Sequence, residues 1–344
     1  MNHPNQPDLE TFEPLSLAPA VPALSRIQTQ QDQQHTRQTL LQGLLAPQAR
    51  ICPKFLYDEQ GCALYNAICN LAEYYPTRTE AGIFNRYRNE IARKLPRGCQ
   101  WVDLGCGDGA KAFEWLMHVN ATRYVGVDIA SDWLQNTLQS GAKRFPEIEF
   151  IGIVTDFTKP LKLDRVIASA EEMTPVLFYP GSSIGNFEPE AALSLLQAMR
   201  MHLGRDGKLL IGVDTPKDTK LLEAAYDDAL GVTAAFNRNV LRAVNRELGS
   251  DFDPRGFAHR AVFNATHSRV EMHLVSLREQ LVHLESQARH FAVGEYIVTE
   301  HSYKYSTERF TELLSLAGFG RIDHFSDETG GFNVFLASPA GALE

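Results

Sequence analysis

The residues best placed to do chemistry are the run Asp103-Leu104-Gly105-Cys106-Gly107-Asp108-Gly109 and the acid that closes Tyr124-Val125-Gly126-Val127-Asp128. The glycines follow a strand-like apolar run from Gln100 and precede a helix-like one, Lys111 to Leu116. They admit positive φ and bring the backbone close to a ligand. In an open α/β sheet this turn is where a nucleotide-like ligand sits, and an acid ending the next strand accepts hydrogen bonds from ribose hydroxyls. The spacing is G-x-G-x-G, so it lacks the third glycine with which dinucleotide enzymes seat a helix beneath a pyrophosphate. A purely structural turn is the competing reading, and Asp128 weighs against it. Asp156 and Phe157 suit an adenine, the carboxylate accepting from the exocyclic amine and the ring covering the base; a helix or turn cap by Asp156 is the alternative. Pro180-Gly181-Ser182-Ser183-Ile184-Gly185-Asn186-Phe187 offers small residues for close approach of a substrate. Tyr57, Tyr65, Tyr74 and Tyr75 crowd one short segment, where core packing with hydroxyls reaching the surface is the plainer explanation for any one of them.

Regular alternation would position these groups. Strands are expected near 100–105, 123–129, 148–155, 175–181 and 207–214, with helices near 110–118, 131–143 and 188–202. This implies a largely parallel, doubly wound sheet with its ligand at the carboxyl edge. In that setting the glycine loop resembles the S-adenosylmethionine (SAM) loop of class I methyltransferases, whose cofactor has no phosphate to cradle. Beyond the fifth strand, Lys217 to Ala229 and Thr233 to Leu248 read as helices joined at Gly231. Residues 259–298 contain β-like runs such as Arg269 to Ser276. A helix from Thr307 to Ala317 and the runs Gly320–His324 and Gly331–Ala337 supply the antiparallel pair that ends a class I sheet. At the other end, Met1 to about Ala46 is expected to be loose at first and helical through Leu40, Leu41, Leu44 and Leu45, and Leu64 to Leu71 has helical spacing. The expected fold is therefore α/β: a class I SAM-dependent methyltransferase, Rossmann-like and doubly wound, with a discontinuous second domain. SAM binding falls to 80–216 and 305–344, and substrate binding to 1–79 and 217–304.

Composition agrees with an enzyme of small molecules. At 344 residues, 44% hydrophobic and 22% charged, the chain has room for two domains with a sizeable core. A net charge of −9 without a basic stripe argues against nucleic acid. Five cysteines without C-x-x-C spacing indicate neither a disulfide framework nor a zinc site, and no H-E-x-x-H occurs among eleven histidines, so no metal is expected. No signal peptide or membrane span is evident, which points to the cytoplasm, and no coiled coil or apolar stripe argues against a monomer.

Four longer runs are more specific: Glu73-Tyr74-Tyr75-Pro76-Thr77-Arg78-Thr79-Glu80, Gly181-Ser182-Ser183-Ile184-Gly185-Asn186, Ala225 to Asn237, and Thr299-Glu300-His301-Ser302-Tyr303-Lys304. From about Pro53 to the C-terminus the chain resembles the L-histidine Nα-methyltransferase family of ergothioneine biosynthesis. That family makes hercynine, the Nα-trimethyl betaine of histidine, by three methyl transfers from SAM. The resemblance implies that Gly105, Lys111, Asp128, Asp156 and Phe157 bind SAM, and that Tyr74, Asn186, Tyr226, Glu300 and Ser302 bind histidine and its Nα-methyl intermediates. Two departures stand out: the Gly-Cys-Gly-Asp-Gly loop is more serine-rich in some members, and Tyr65 stands where some relatives have phenylalanine.

The residue chemistry is compatible. Asn186 and Tyr226 donate to a carboxylate without carrying charge, while Glu300 accepts an imidazole N–H and Ser302 shares its strand face. For Glu300 and Ser302 a solvated strand face is the competing reading. Methyl transfer from a sulfonium needs positioning above all, and an unprotonated amine, for which Tyr57, acting through a water, is the expected catalytic group. Tyrosine faces tolerate a growing cation. Alternatives are a methyltransferase acting on the ring nitrogen of a thiolated histidine or on another aromatic amino acid, and a SAM-binding protein without turnover.

Overall fold

The computed structural model describes residues 22–26, 30–156, 163 and 167–341. The described chain opens with strand β1 (Ala23–Arg26) and helices α1 (Gln30–Leu45), α2 (Glu59–Ile68) and α3 (Tyr75–Lys94). Alternation follows through β2 (Gln100–Leu104), α4 (Ala110–Leu116), β3 (Arg123–Asp128), α5 (Ser131–Arg144), β4 (Glu149–Val154), β5 (Pro175–Tyr179), α6 (Pro189–His202) and β6 (Lys208–Asp214). Next come α7 (Thr219–Tyr226), α8 (Val232–Leu248), β7 (Phe257–Asn264), β8 (Arg269–Ser276), β9 (Gln280–Leu284), β10 (Gln287–Phe291) and β11 (Tyr296–Tyr303). The chain closes on α9 (Thr307–Leu316), β12 (Phe319–Ser326) and β13 (Phe332–Pro339).

β2 and β5 are buried along their whole length, as strands covered by helices on both faces must be. The eight-stranded sheet runs β1-β4-β3-β2-β5-β6-β13-β12, parallel from β1 to β6 and antiparallel at β13 and β12. The order reverses between β2 and β5. Their carboxyl ends therefore open a crevice between diverging connections, the place where doubly wound sheets hold ligands. The class I arrangement expected from the alternation is present.

A second, smaller lobe packs α1, α2, α7 and α8 against the antiparallel sheet β11-β8-β7 and the β9–β10 hairpin. Its core joins Leu40, Leu44, Leu56 and Ile68 to Leu222, Phe236, Val240, Leu274 and Ile297, so it is assembled from two distant stretches of chain. A bulge marks its most important strand. The register of β11 on β8 slips between Val298 and Glu300. Thr299 is the extra residue, held by its hydroxyl, whose single proton is shared between Asn237 Oδ1 at 2.6 Å and the Met272 carbonyl at 3.0 Å.

The structure departs from the sequence reading in four places. α7 begins at Thr219 rather than Lys217, because Asp218 caps it by accepting from the backbone of Lys220 and Leu221. The boundary placed at 79/80 falls inside α3. The first turn of that helix joins the small-lobe core through Tyr75, while Ile83, Phe84 and Ile91 pack on the large sheet. The N-terminal stretch, expected to be loose, contributes β1, which pairs parallel with β4 at the sheet edge, and α1 extends back to Gln30. Residues 1–21 and 27–29 of that stretch lie outside the described residues.

Candidate active site

The glycine loop leaves β2 with Gly105, Gly107 and Gly109 all at positive φ, a conformation that side chains with a Cβ rarely adopt. Gly105 N donates to the Val127 carbonyl at 2.7 Å, which lays the loop against the end of β3. There the Asp128 carboxylate accepts from Gly107 N at 3.1 Å and Ala130 N at 3.0 Å. Burial pushes its pKa up and these N–H donors pull it back. Asp128 thus shapes the loop as well as presenting a carboxylate to it.

Lys111, on the first turn of α4, pairs with Glu80 at 2.6 Å, and the other oxygen of Glu80 accepts from Gly181 N at 2.7 Å. Glu80 is fully buried, so one carboxylate ties α4 to the turn after β5. Gly212 makes room for it: a Cβ there would lie 1.9 Å from Glu80 Oε1. At the end of β4, Asp156 pairs with Lys54 at 2.8 Å, tying the segment before α2 to the carboxyl edge of the sheet. Phe157 lies outside the described residues.

The turn after β5 carries backbone strain of a kind that persists where the surroundings over-determine it: Ser182 is left-handed at φ 58°. Its hydroxyl accepts from Asp214 N at 2.9 Å, joining the ends of β5 and β6. Gly185 in the same turn lies so close to β11 that a Cβ would meet the Tyr303 carbonyl at 2.7 Å. This brings Asn186 up to the strand that bears Glu300 and Ser302.

The tyrosines form one cage. Tyr57 and Tyr65 meet edge to face at 5.6 Å between ring centroids, Tyr65 and Tyr74 at 6.4 Å, and Tyr74 and Tyr226 at 6.1 Å, with Phe236 beside Tyr57 at 5.7 Å. Burial, foremost, and then neighbouring charge raise the pKa of Tyr57 well above the ordinary phenol value, so it keeps its proton at neutral pH. Glu300, only 7% exposed, faces this cage and makes no side-chain hydrogen bond among the described residues. Burial pushes its carboxyl up to about 7, against a lowering by Lys304. Buried polar groups are nearly always hydrogen-bonded, so a buried carboxylate without such a partner calls for an explanation. Ser302, two residues on, bonds the Tyr226 hydroxyl at 2.8 Å.

The sequence-predicted residues therefore fall into two groups about one crevice, with Gly105, Lys111, Asp128 and Asp156 on the sheet side and Tyr57, Tyr74, Tyr226, Glu300 and Ser302 in the small lobe. Four further residues hold them and were not anticipated: Lys54, Glu80, Asp214 and Lys304. Asp214 carried a signal, being an acid that ends a buried parallel strand as Asp128 does. Among the described residues no cluster of His, Cys, Asp and Glu is placed to hold a metal, and no helix is long and apolar enough to cross a membrane.

A family model described as "Histidine-specific methyltransferase, SAM-dependent" matches residues 36–339. The chain is 35% identical over 308 residues to the histidine N-alpha-methyltransferase of Mycolicibacterium smegmatis, covering 88% of this chain and 94% of that protein. Against the Mycobacterium tuberculosis protein of the same name the identity is 34% over the same shares. Ergothioneine biosynthesis protein 1 of Schizosaccharomyces pombe is 27% identical over 82% of this chain and 38% of that longer protein.

Proposed function

The chain belongs to the SAM-dependent, histidine-specific methyltransferase family, and from that premise we propose that it methylates the α-nitrogen of L-histidine three times to give hercynine, the first step of ergothioneine biosynthesis. The observation that carries the reading is Glu300. Its buried, unpartnered carboxylate suits an imidazole N–H and would leave a phenyl ring, which has no donor, facing an uncompensated charge.

The residues present fit SAM. Asp128 offers a carboxylate beside a loop whose positive-φ glycines keep side chains out of the way, and Asp156 offers a second at the end of β4. Gly105, Lys111, Asp128 and Asp156 would hold it, with Phe157 assigned by resemblance alone. When bound, SAM supplies an electrophilic methyl on a sulfonium.

The chain's own residues then position the amino acid. Asn186 and Tyr226 donate to its α-carboxylate, Glu300 and Ser302 hold the ring, and Tyr74 walls the cage. The nucleophile has to be the neutral amine, while most free amine is protonated at neutral pH. The ammonium's proton goes to bulk water before the amine binds, and Tyr57, kept as a phenol by burial, is assigned to orient the neutral amine by hydrogen bonding through a water, not to take that proton as a pre-formed phenolate. Tyrosine faces offer a mono- or dimethylated ammonium attraction in place of the N–H bonds it loses, and this lets one pocket serve three transfers. We assign the small lobe to substrate, and read the protein as a cytoplasmic monomer that acts on a small molecule and not on nucleic acid.

Mass spectrometry of histidine incubated with excess SAM tests the reading. The end point is three added methyls, all on the α-nitrogen. A ring methyl, an end point of one, or preference for 5-thiohistidine or tryptophan would return the chain to an amino-acid methyltransferase of other specificity. Absence of any added mass would leave a SAM-binding protein.

A further inference from the structure

Residues two apart on a strand share a face, so Ile297 and Glu300, three apart, belong on opposite faces of a regular strand. In β11 they share one. Ile297 lies in the small-lobe core with Phe236 and Tyr226, Glu300 faces the cage that Tyr57 and Phe236 wall, and Ser302 bonds the Tyr226 hydroxyl. The alternate side chains, His301 and Tyr303, meet Glu188 on the opposite face. The change of face happens at Thr299, where the pairing slips by one residue against β8. A ladder without the extra residue would turn Glu300 and Ser302 out toward Glu188 and leave the cage without its carboxylate.

What holds the bulge is a buried amide that takes no part in the cage itself. Asn237, on α8 and with no exposed surface, accepts from the Thr299 hydroxyl through Oδ1. Its Nδ2 faces the His273 carbonyl at 3.1 Å and His259 Nδ1 at 2.8 Å. A carbonyl only accepts, so the atom facing it must be the NH2; its second proton then goes to His259 Nδ1, which must be bare. The ring's own proton sits on Nε2 and goes to the Tyr226 carbonyl at 2.7 Å, at the end of α7, where carbonyls lack an intrahelical donor. One run of bonds thus joins α7, β7, α8, β8 and the bulge. A protonated His259 would set a second N–H against the Asn237 NH2, and turning the amide over would set its oxygen against the His273 carbonyl. Burial, foremost, holds the His259 pKa below its ordinary value, helped by Arg238 of α8 and opposed by the Tyr226 carbonyl and by Asp227 and Asp228 in the turn after α7.

Resting on the reading of the cage as the amino-acid site, we propose that Asn237 is a positioning residue: with its amide oriented by His259, it fixes the bulge at Thr299 and so keeps the Glu300 side of β11 turned into the site. Asn237 touches no substrate in this scheme. It acts through Thr299, and the same amide ties the end of α7, which carries Tyr226, to the strand that carries Glu300.

Two measurements test it. Nitrogen NMR of the ring-labelled protein at pH 7.5, with the His259 signal identified by its loss in His259→Gln, should show a proton on Nε2 and none on Nδ1; a proton on Nδ1 overturns the proposal without any variant of Asn237. Thr299→Val keeps the shape and removes the hydroxyl proton, so kcat/KM for histidine should fall about tenfold or more, chiefly through KM, with SAM affinity by calorimetry within about twofold. Asn237→Leu should do the same, and Thr299→Ser, which keeps the hydroxyl, should restore the wild-type KM. An unchanged histidine KM in folded Thr299→Val overturns the proposal, and so does an equal loss of histidine and SAM binding, which would mark general damage. Should Asn237→Leu fail to fold, the Thr299 pair and the ring signal decide. Failure of the wild type to methylate histidine would remove the substrate reading, a distinct result, and the same variants are then measured with the amino acid that is methylated.

Discussion

Replacing Glu300 by Gln should make the protein more stable and less able to bind histidine, and both effects can be sized. The carboxyl sits at about 7 against an ordinary 4.5, with burial the chief cause. A unit of pKa corresponds to about 1.36 kcal/mol, so holding this group ionised in the fold costs on the order of 3 kcal/mol. The folded pKa is raised, so the folded state holds the proton that the unfolded chain gives up first. Wild-type stability is therefore full below about pH 4.5, falls as pH rises through 7, and levels off above. Glutamine keeps the shape without the charge and removes that fall. Chemical denaturation should find Glu300→Gln gaining about 2–3 kcal/mol on the wild type between pH 5 and pH 8.5. Calorimetry on the same samples should show histidine affinity down by about 1.5–3 kcal/mol and SAM affinity unchanged. A stability difference that stays flat with pH would refute the desolvated carboxylate, and undiminished histidine binding would refute its role.

Asp128→Ala should weaken SAM binding by about 1–3 kcal/mol, since it removes both a ribose acceptor and the acceptor that ties down Gly107 N; unaltered affinity by calorimetry would end that assignment. Tyr226→Phe is expected to weaken binding of every α-amino acid tested by a similar factor, because its contact is to the shared carboxylate, and a loss confined to histidine would contradict this. Gly212→Ala puts a methyl into Glu80 and should cost about 1–3 kcal/mol in thermal or chemical melts while loosening Lys111; a variant as stable as the wild type would show that Glu80 yields easily.

The parts of this site legible in the sequence are those whose chemistry is local. Strands β2 to β6 announce themselves as short buried apolar runs, and the glycine loop with Asp128 needs only a strand, a turn and the next strand's last residue. Asn186, Tyr226 and Ser302 came from resemblance, as their residue types alone do not distinguish a pocket from a polar surface. What stayed hidden is what depends on partners far along the chain. Glu80 meets Gly181 across 101 residues and Lys54 meets Asp156 across 102, and no periodicity encodes either pair. The bulge at Thr299 that re-aims Glu300 is a property of β11 paired on β8 rather than of β11 itself. β1 is four residues long and becomes a strand only because β4 offers it an edge.

The small lobe's construction from two distant stretches bears on how the protein is made. Arg50 bridges to Val298, Arg37 pairs with Glu285, and Asp58 meets Asn239 and Arg246, so α2 has no native partner until α8 has been synthesised and the lobe around α1 is not complete until β11 has. At ribosomal rates of about 5–20 residues per second, roughly 180–250 residues of further translation separate those helices from their partners, an interval on the order of 9–50 seconds. Through that interval Leu40, Leu44, Leu56 and Ile68, all destined for the core, have no native surface to cover them. The sheet can begin assembling earlier, from β2 through β6. The nascent chain is then a half-finished enzyme with a greasy N-terminal arm, a client for holding chaperones. The same order of events has the small lobe closing onto a sheet whose glycine loop is already in place.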